Sequence, residues 1–140
     1  MEYNLSCEKI LKELSGNYKL ISLVSDAVYN HDRYAYNSNI FIMELNPPCK
    51  KTCKKVKSFI RQTDKYLQLD DRFCVIEYPF IEFSDAQKAF DNLKNHLFEQ
   101  EGLTIRYALV SLEDEDGFNA ADIIKKISEN ICKTDFEKRD

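Results

Sequence analysis

Apolar residues recur at helical spacing over two stretches near the amino terminus. In residues 6–15 they form a narrow stripe on one side of a helix, and a broader stripe follows over about residues 18–35. Gly16 lies between the two stretches, at a position typical of a helix end. The pattern therefore predicts two amino-terminal helices, although the β-branched residues within 19–24 also leave a strand open there.

Four shorter apolar runs predict strands. Residues 39–45 (NIFIMEL) and 103–112 (LTIRYALVSL) are nearly continuous apolar runs, as expected for strands buried in a sheet. Residues 66–69 and 72–78 are two further runs, separated by Asp70-Asp71. Because aspartate bonds its own backbone in turns, we predict a hairpin with a two-residue turn at these aspartates.

Three more amphipathic stretches predict helices. The first covers residues 49–65, the second is capped by Ser84, and the third runs from Asn119 to Ile131. One face of the first helix carries the chain's basic patch: Lys50, Lys51, Lys54, Lys55, Lys57 and Arg61. Such a patch attracts phosphate, but it is equally the solvated face of an amphipathic helix.

The order of elements predicts the fold class. After the two amino-terminal helices the chain reads strand, helix, strand, strand, helix, strand, helix. We predict an α+β fold, with a ferredoxin-like or palm-type antiparallel sheet built from a βαββαβ core, helices on one face of the sheet, and a carboxy-terminal helix. The length of 140 residues fits a single domain over 1–140. Within it we expect a helical segment over about 1–35, the α/β core over 36–132 and a charged tail over 133–140.

Net charge and hydropathy weigh against some classes of function. A net charge of −4 disfavours a general nucleic-acid binder, which needs a positive field to attract phosphate. No apolar run approaches the roughly 18 residues of a membrane-spanning helix, and the first residues lack the pattern of a signal peptide. We therefore expect a cytoplasmic protein with no membrane partner.

The five cysteines form no Cys-x-x-Cys pair. In a chain read as cytoplasmic, reduced thiols are expected in place of a disulfide framework. Cys49 and Cys53 are one helical turn apart and could offer two ligands to a metal, but on an apolar helical stripe they are also small core residues. We predict no metal site from these positions.

Several stretches of the chain together resemble the GGDEF domain, the diguanylate cyclase fold of bacterial second-messenger signalling. Residues 60–78 (IRQTDKYLQLDDRFCVIEY) resemble the family's arginine-x-x-aspartate pattern, its signature hairpin loop and the strand that follows. Residues 39–46 (NIFIMELN) resemble its first core strand, and residues 119–127 (NAADIIKKI) resemble its last helix. The resemblance covers about residues 26–131 and implies a regulatory signalling protein.

The signature loop departs from the family pattern at several positions. With Phe73 placed on the signature phenylalanine, two glycines are replaced by Leu69 and Asp70. Asp71 matches the aspartate, and Arg72 replaces the glutamate. Side chains at the glycine positions would obstruct the close approach of a nucleotide's phosphates, and Arg72 would repel Mg²⁺. We therefore predict no catalytic residues and no cofactor, with Mg²⁺ needed only if some nucleotide chemistry remains.

Arg61 and Asp64 match the arginine-x-x-aspartate pattern of the family's inhibitory site, which binds cyclic di-GMP. Arginine grips phosphate or a guanine edge with a bidentate fork, and aspartate accepts hydrogen bonds from guanine N–H groups. The resemblance therefore implies a cyclic di-GMP site at these two residues. The alternative is an exposed ion pair on a helix, which is common and binds nothing.

The favoured hypothesis is a catalytically inactive GGDEF-like signalling module that acts through protein–protein contacts. The amino-terminal helices would supply the surface for a protein partner or for self-association, and Arg61 and Asp64 would add cyclic di-GMP binding. One alternative is an active nucleotide cyclase, or one of altered specificity, with Glu44, Asp71 and Glu77 as metal ligands. Another is a palm-like domain that binds nucleic acid through the basic patch, against which the net negative charge weighs.

Overall fold

Four strands form one antiparallel sheet in a computed structural model that describes residues 7–50, 56–114 and 119–137. The strands are β1 (Ser38–Asn46), β2 (Lys65–Gln68), β3 (Phe73–Pro79) and β4 (Thr104–Ser111). The longer helices are α1 (Cys7–Ser15), α2 (Tyr18–Tyr34), α3 (Phe83–Glu101) and α4 (Ala120–Cys132). Within the described ranges, none of these helices is long and apolar enough to cross a membrane.

The strand order, β2-β3-β1-β4, is that of a ferredoxin-like sheet, so the predicted fold class is confirmed. β1 and β2 run parallel to each other but are separated by β3, which pairs antiparallel with both. β1 lies inside the sheet, with β3 on one side and β4 on the other. Its buried position explains its continuous apolar sequence.

Helices cover both faces of the sheet. α3 and Val56 pack on the face that carries Phe41 and Met43 of β1. The opposite face, which carries Ile40 and Ile42, is covered by α1, α2 and α4. The predicted one-face arrangement therefore describes the core helices, and the additional helices bury the second face. α1 and α2 therefore contribute to the hydrophobic core on this face of the sheet.

Side chains fix several helix starts. Asn17 accepts a hydrogen bond from Leu20 N, so residues 18–34 are helical and the choice left open within 19–24 is decided in favour of a helix. Asn119 caps α4 as predicted, by accepting from Asp122 N. The predicted cap at Ser84 is wrong. α3 begins one residue earlier, after the extended backbone of Glu82, so Ser84 lies inside the first turn.

The predicted helix over 49–65 is also wrong in its second half. Residues 56–57 are helical, but residues 58–64 form turns and bends, and β2 begins at Lys65. The Asp64 side chain accepts the backbone N–H of Arg61, a local bond that competes with continued helix. Three lysines of the predicted basic patch lie outside the described residues: Lys51, Lys54 and Lys55. Cys53 lies outside them as well.

Candidate functional site

Arg61 and Asp64 close a four-residue turn in front of β2. The Asp64 carboxylate accepts the Arg61 backbone N–H at 2.7 Å, and the Asp64 backbone N–H donates to the Arg61 carbonyl at 3.0 Å. The Arg61 guanidinium folds back onto the same carboxylate, with Nε at 3.0 Å and Nη2 at 2.6 Å from Oδ1. The two predicted site residues are therefore in direct contact, at a turn and not on a helix.

The turn exposes the two side chains to very different degrees. The side chain of Asp64 is 2% exposed, whereas that of Arg61 is 45% exposed. Arg61 Nη2 also donates to the carbonyl of Pro79 at the end of β3, at 2.8 Å. Asp64 therefore positions Arg61, while the guanidinium still presents part of its surface to solvent.

A cleft of about 690 Å³ opens beside this turn. One wall is formed by the turn and by β2, including Arg61 and Lys65. The opposite wall is formed by α2, which contributes Tyr18, Lys19 and Asp26. Clefts of this volume hold small molecules of nucleotide size.

Positive charge dominates the lining of the cleft. Lys19 and Lys65 lie on opposite walls, and both are exposed. Lys19 Nζ donates to the carbonyl of Gln68 at 3.5 Å, so the Lys19 side chain extends from α2 to β2. The lining cations are Lys19, Lys57, Arg61 and Lys65, and its carboxylates are Asp26 and the buried Asp64. The field inside the cleft therefore favours an anionic ligand.

Two polar side chains of β3 are buried near the cleft. Ser38 Oγ donates a hydrogen bond to the Glu77 carboxylate, and burial raises the pKa of Glu77 above its ordinary value. The Tyr78 hydroxyl has no hydrogen-bond partner among the described residues, and burial, with a smaller effect of the Asp64 charge, raises its pKa. Tyr78 is therefore neutral at physiological pH.

The signature loop is a four-residue turn over 69–72. The predicted hairpin is confirmed, but β2 ends at Gln68 and β3 begins at Phe73, so the turn is longer than the two residues predicted. Asp70 Oδ1 accepts the backbone N–H groups of Arg72 at 2.8 Å and Phe73 at 2.7 Å. Leu69 packs against the core face that α1 and α2 cover. The side chains at the two glycine positions are thus used within the fold.

At the far end of β1, Glu44 is held by two arginines. Arg106 Nε lies 2.6 Å from Glu44 Oε1, and Arg72 Nη2 lies 3.0 Å from Glu44 Oε2. The side chains of Glu44 and Arg106 are 7% and 8% exposed. Both carboxylate oxygens are therefore engaged by guanidinium groups. We refer to Glu44, Arg72 and Arg106 as the Glu44 cluster.

Residues that follow α4 pack over the Glu44 cluster. Arg106 Nη1 donates to the carbonyl of Thr134 at 3.3 Å, and its guanidinium lies 5.1 Å from the centre of the Phe136 ring. The backbone N–H of Glu137 donates to the carbonyl of Ile105 in β4 at 3.2 Å. The described part of the predicted charged tail is therefore attached to the sheet at this end.

The alternative metal ligands are not brought together. Glu77 is buried on β3 between Ser38 and Lys65, Glu44 belongs to its own cluster, and Asp71 lies in the signature loop. Within 7–50, 56–114 and 119–137, no group of three or more histidine, cysteine, aspartate or glutamate side chains could hold a metal ion. Glu44, Asp71 and Glu77 therefore form no three-carboxylate site for Mg²⁺ within the described ranges.

Sequence reasoning missed Arg106 and the α2 wall of the cleft. The signal for Arg106 is its alternation with Ala108 and Val110, which places an arginine on the same face of β4 as these two buried residues. The α2 residues gave no comparable signal, because Lys19 and Asp26 look like any solvated helix surface. Their role depends on the approach of β2.

Comparisons with solved structures identify the fold. A microbial GGDEF domain studied for its interaction with cyclic di-GMP has a TM-score of 0.71 at 9% identity, over 84% of each chain. The GGDEF domain of DgcB from Caulobacter crescentus, in complex with cyclic di-GMP, has a TM-score of 0.64 at 4% identity, over 82% of this chain and 81% of that one. The FimX GGDEF domain from Pseudomonas aeruginosa has a TM-score of 0.63 at 12% identity, over 84% of this chain and 88% of that one. The chain therefore has the fold of GGDEF domains.

The sequence itself has no match of this kind. No family model matches it. No curated protein matches it either.

Proposed function

We propose that this chain is a catalytically inactive GGDEF-like signalling module that works by binding and not by turnover. The observation that carries the proposal is the Glu44 cluster. In the resemblance to GGDEF domains, the first core strand ends at a metal-binding carboxylate and the signature loop supplies a second one. Here the strand carries Glu44 and the loop carries Arg72, which bind each other.

The Glu44 cluster leaves no vacant carboxylate for a metal. Phosphoryl transfer between nucleotides needs Mg²⁺ held by several oxygen ligands. Glu44 is neutralised by two guanidinium groups, and a cation beside them would be repelled. Replacing the ion pair by a metal would leave two arginines uncompensated, one of them buried.

The cleft beside Arg61 is the proposed binding site, with cyclic di-GMP as its ligand. Cyclic di-GMP carries two phosphates and two guanine rings, and the cleft offers several cations and the aromatic ring of Tyr18. Two GGDEF domains of similar fold interact with this nucleotide. The volume of the cleft is in the range of small-molecule sites.

Arg61 and Asp64 have different roles in this proposal. Arg61 contacts the ligand, because its guanidinium is half exposed and faces the cleft. Asp64 positions Arg61, because both of its oxygens already accept bonds from that residue. In the proposed site Arg61 therefore contacts the ligand, whereas Asp64 has no free oxygen for the guanine base.

Calorimetric titration of cyclic di-GMP tests this proposal. The wild-type chain should give saturable heat, and Arg61→Ala should weaken binding at least tenfold because a phosphate contact is lost. Lys125→Ala is the control, since this exposed lysine of α4 does not line the cleft. Absence of heat from a folded wild-type chain at millimolar ligand would contradict binding.

A protein-binding surface on α2 is the second part of the proposal. The outer face of α2 exposes Ile21 and Tyr29, which are 38% and 56% exposed. Large apolar side chains on an outer helix face are typical of interaction surfaces. If the surface mediates self-association, light scattering should show a concentration-dependent rise in mass that Ile21→Arg abolishes. A constant monomer mass at all concentrations would contradict self-association, and the α2 surface would then bind a different protein.

A further inference from the structure

Two cysteines from opposite ends of the chain lie side by side. Cys7 is the first residue of α1 and Cys132 is the last residue of α4. Both line a cleft of about 360 Å³ between the two helices, and their thiols lie within range of a mutual interaction. The pair is independent of the cleft beside Arg61.

Packing of α1 on α4 keeps the two thiols together. Ile10 and Leu14 of α1 belong to the same core cluster as Ile127 and Ile131 of α4. Cys7 lies in the first turn of α1 and Cys132 in the last turn of α4. The packing of the two helices therefore places both cysteine side chains on the same small cleft.

We infer that Cys7 and Cys132 form a redox-sensitive thiol pair, which a small-molecule disulfide oxidises to a covalent bond between α1 and α4. Cys7 is the entry point because it is exposed, whereas Cys132 is partly buried. The Cys7 thiolate attacks one sulfur of the oxidant and expels a thiolate, which leaves a mixed disulfide on Cys7. The Cys132 thiolate then attacks the Cys7 sulfur and expels the second small thiolate.

The electrons and protons of this reaction balance. The two protein thiols lose two electrons, which reduce the oxidant's disulfide to two small thiols. The two thiol protons pass through solvent to the two thiolates that leave. No metal or further reactant is required.

The second step depends on the protonation state of Cys132. Burial raises the pKa of Cys132, and the neighbouring Cys7 thiol raises it further, while the charge of Arg106 acts in the opposite direction. Cys132 is therefore protonated at neutral pH, and the fraction in the reactive thiolate form grows about tenfold for each unit of pH. Closure of the bond should accelerate with pH in the same way.

The other described cysteines have different surroundings. Cys74 is buried in β3, where its Sγ accepts a hydrogen bond from the Tyr66 hydroxyl at 3.1 Å. Cys49 is partly buried and precedes the segment outside the described residues. Selectivity for Cys7 and Cys132 follows from their contact with each other.

A bond between Cys7 and Cys132 would have two structural consequences. It would close a loop over residues 7–132, and a loop of that length strongly restricts the unfolded chain. It would also anchor the start of residues 133–137, which pack over Arg106. Oxidation would therefore stabilise the end of the molecule that contains the Glu44 cluster.

Peptide mapping of the oxidised full-length chain tests this inference. The reduced chain is treated with oxidised glutathione, the remaining thiols are alkylated, and the chain is digested without reductant. We expect a peptide linked through Cys7 and Cys132, with the mass of its parts less two hydrogen atoms. Cys132→Ser should stop at glutathione on Cys7, while Cys49→Ser should form the same linked peptide as the wild type.

The linked protein should also melt about 10 °C higher than the reduced one, because the closed loop is long. A stable glutathione adduct on Cys7 of the wild-type chain would overturn the inference, since Cys132 would then be out of reach. An unreacted Cys7, or a bond between other cysteines, would overturn it as well. A linked protein that melts below the reduced one would overturn the stabilisation inferred for the bond.

Discussion

Glu44 is a buried carboxylate whose two oxygens face two guanidinium groups. Taking Glu44 and Arg106 out of water is expensive, and the attraction within the cluster offsets that cost only while its members remain paired. The Glu44 cluster should therefore tolerate the loss of any one partner poorly.

Glu44→Gln should lower the free energy of unfolding by about 3 kcal/mol, because Arg106 keeps a buried charge without its counter-ion. Urea denaturation followed by circular dichroism measures the change. The matched control is Glu13→Gln on the exposed side of α1, which should change stability by less than about 0.5 kcal/mol. Equal effects of the two substitutions would mean that water reaches the Glu44 cluster and screens it.

Glu77 should make stability depend on pH. Its pKa is raised in the folded state, chiefly by burial, so the folded chain holds this proton at pH values where the unfolded chain has released it. Stability must therefore fall as the pH rises from the ordinary value of 4.5 through the raised folded pKa, and then level off.

Glu77→Gln removes this dependence, since glutamine does not ionise and still accepts the bond from Ser38. Urea denaturation of both proteins across that pH range gives the comparison. The wild type should lose stability relative to the variant as the pH rises. Parallel stability curves would show that Glu77 ionises normally in the folded chain.

At the residue scale, the sequence indicates that Arg72 replaces a carboxylate, but it does not indicate that Arg106 binds Glu44 as well. Arg72 was identified because it stands in a recognisable loop. Arg106 was not, because its contact with Glu44 joins residues 62 apart in sequence and depends on the pairing of β1 with β4. Such contacts follow from strand register, which local patterns do not define.

At the element scale, the turn at residues 61–64 replaced an expected helix. The apolar spacing through Val56, Phe59 and Ile60 fits a helix, and no glycine or proline interrupts it. The helix nevertheless ends, because the Asp64 carboxylate accepts hydrogen bonds from both the backbone N–H and the side chain of Arg61. The same local preference of aspartate correctly predicted the hairpin at Asp70.

The two adjacent aspartates of the signature loop should differ sharply in importance. Asp70→Ala should cost about 1–2 kcal/mol of stability, since one carboxylate oxygen satisfies two backbone N–H groups of the turn. Asp71→Ala should cost less than about 0.5 kcal/mol, because the turn uses the backbone carbonyl of Asp71, which accepts from Cys49 N. Chemical denaturation distinguishes the two, and equal losses would contradict the assignment of the turn to Asp70.

At the scale of the whole molecule, the order of elements was sufficient to predict the sheet. Alternation of short apolar runs with amphipathic helices leaves few topologies open, and the ferredoxin-like order is one of them. The cleft could not be predicted in the same way. Its two walls, α2 and the turn before β2, come from distant parts of the sequence and meet only because α2 packs on the second face of the sheet.

The fold thus combines a ligand-sized cleft with a Glu44 cluster closed by arginine. The two features lie at opposite ends of β3, near Pro79 and Phe73 respectively. We expect the cleft to respond to ligand whatever happens at the Glu44 cluster, since no residue is shared between them. Ligand binding in the cleft and the absence of catalysis can therefore be tested separately.

Incubation of the purified chain with GTP tests the central claim most directly. The chain should form no cyclic di-GMP or linear dinucleotide with Mg²⁺ or Mn²⁺, because Glu44 is engaged by Arg72 and Arg106. Chromatography of the reaction at high protein concentration detects either product. Product that forms with the wild-type chain and disappears with Glu44→Gln would contradict the account, since Glu44 would then be acting as a metal ligand.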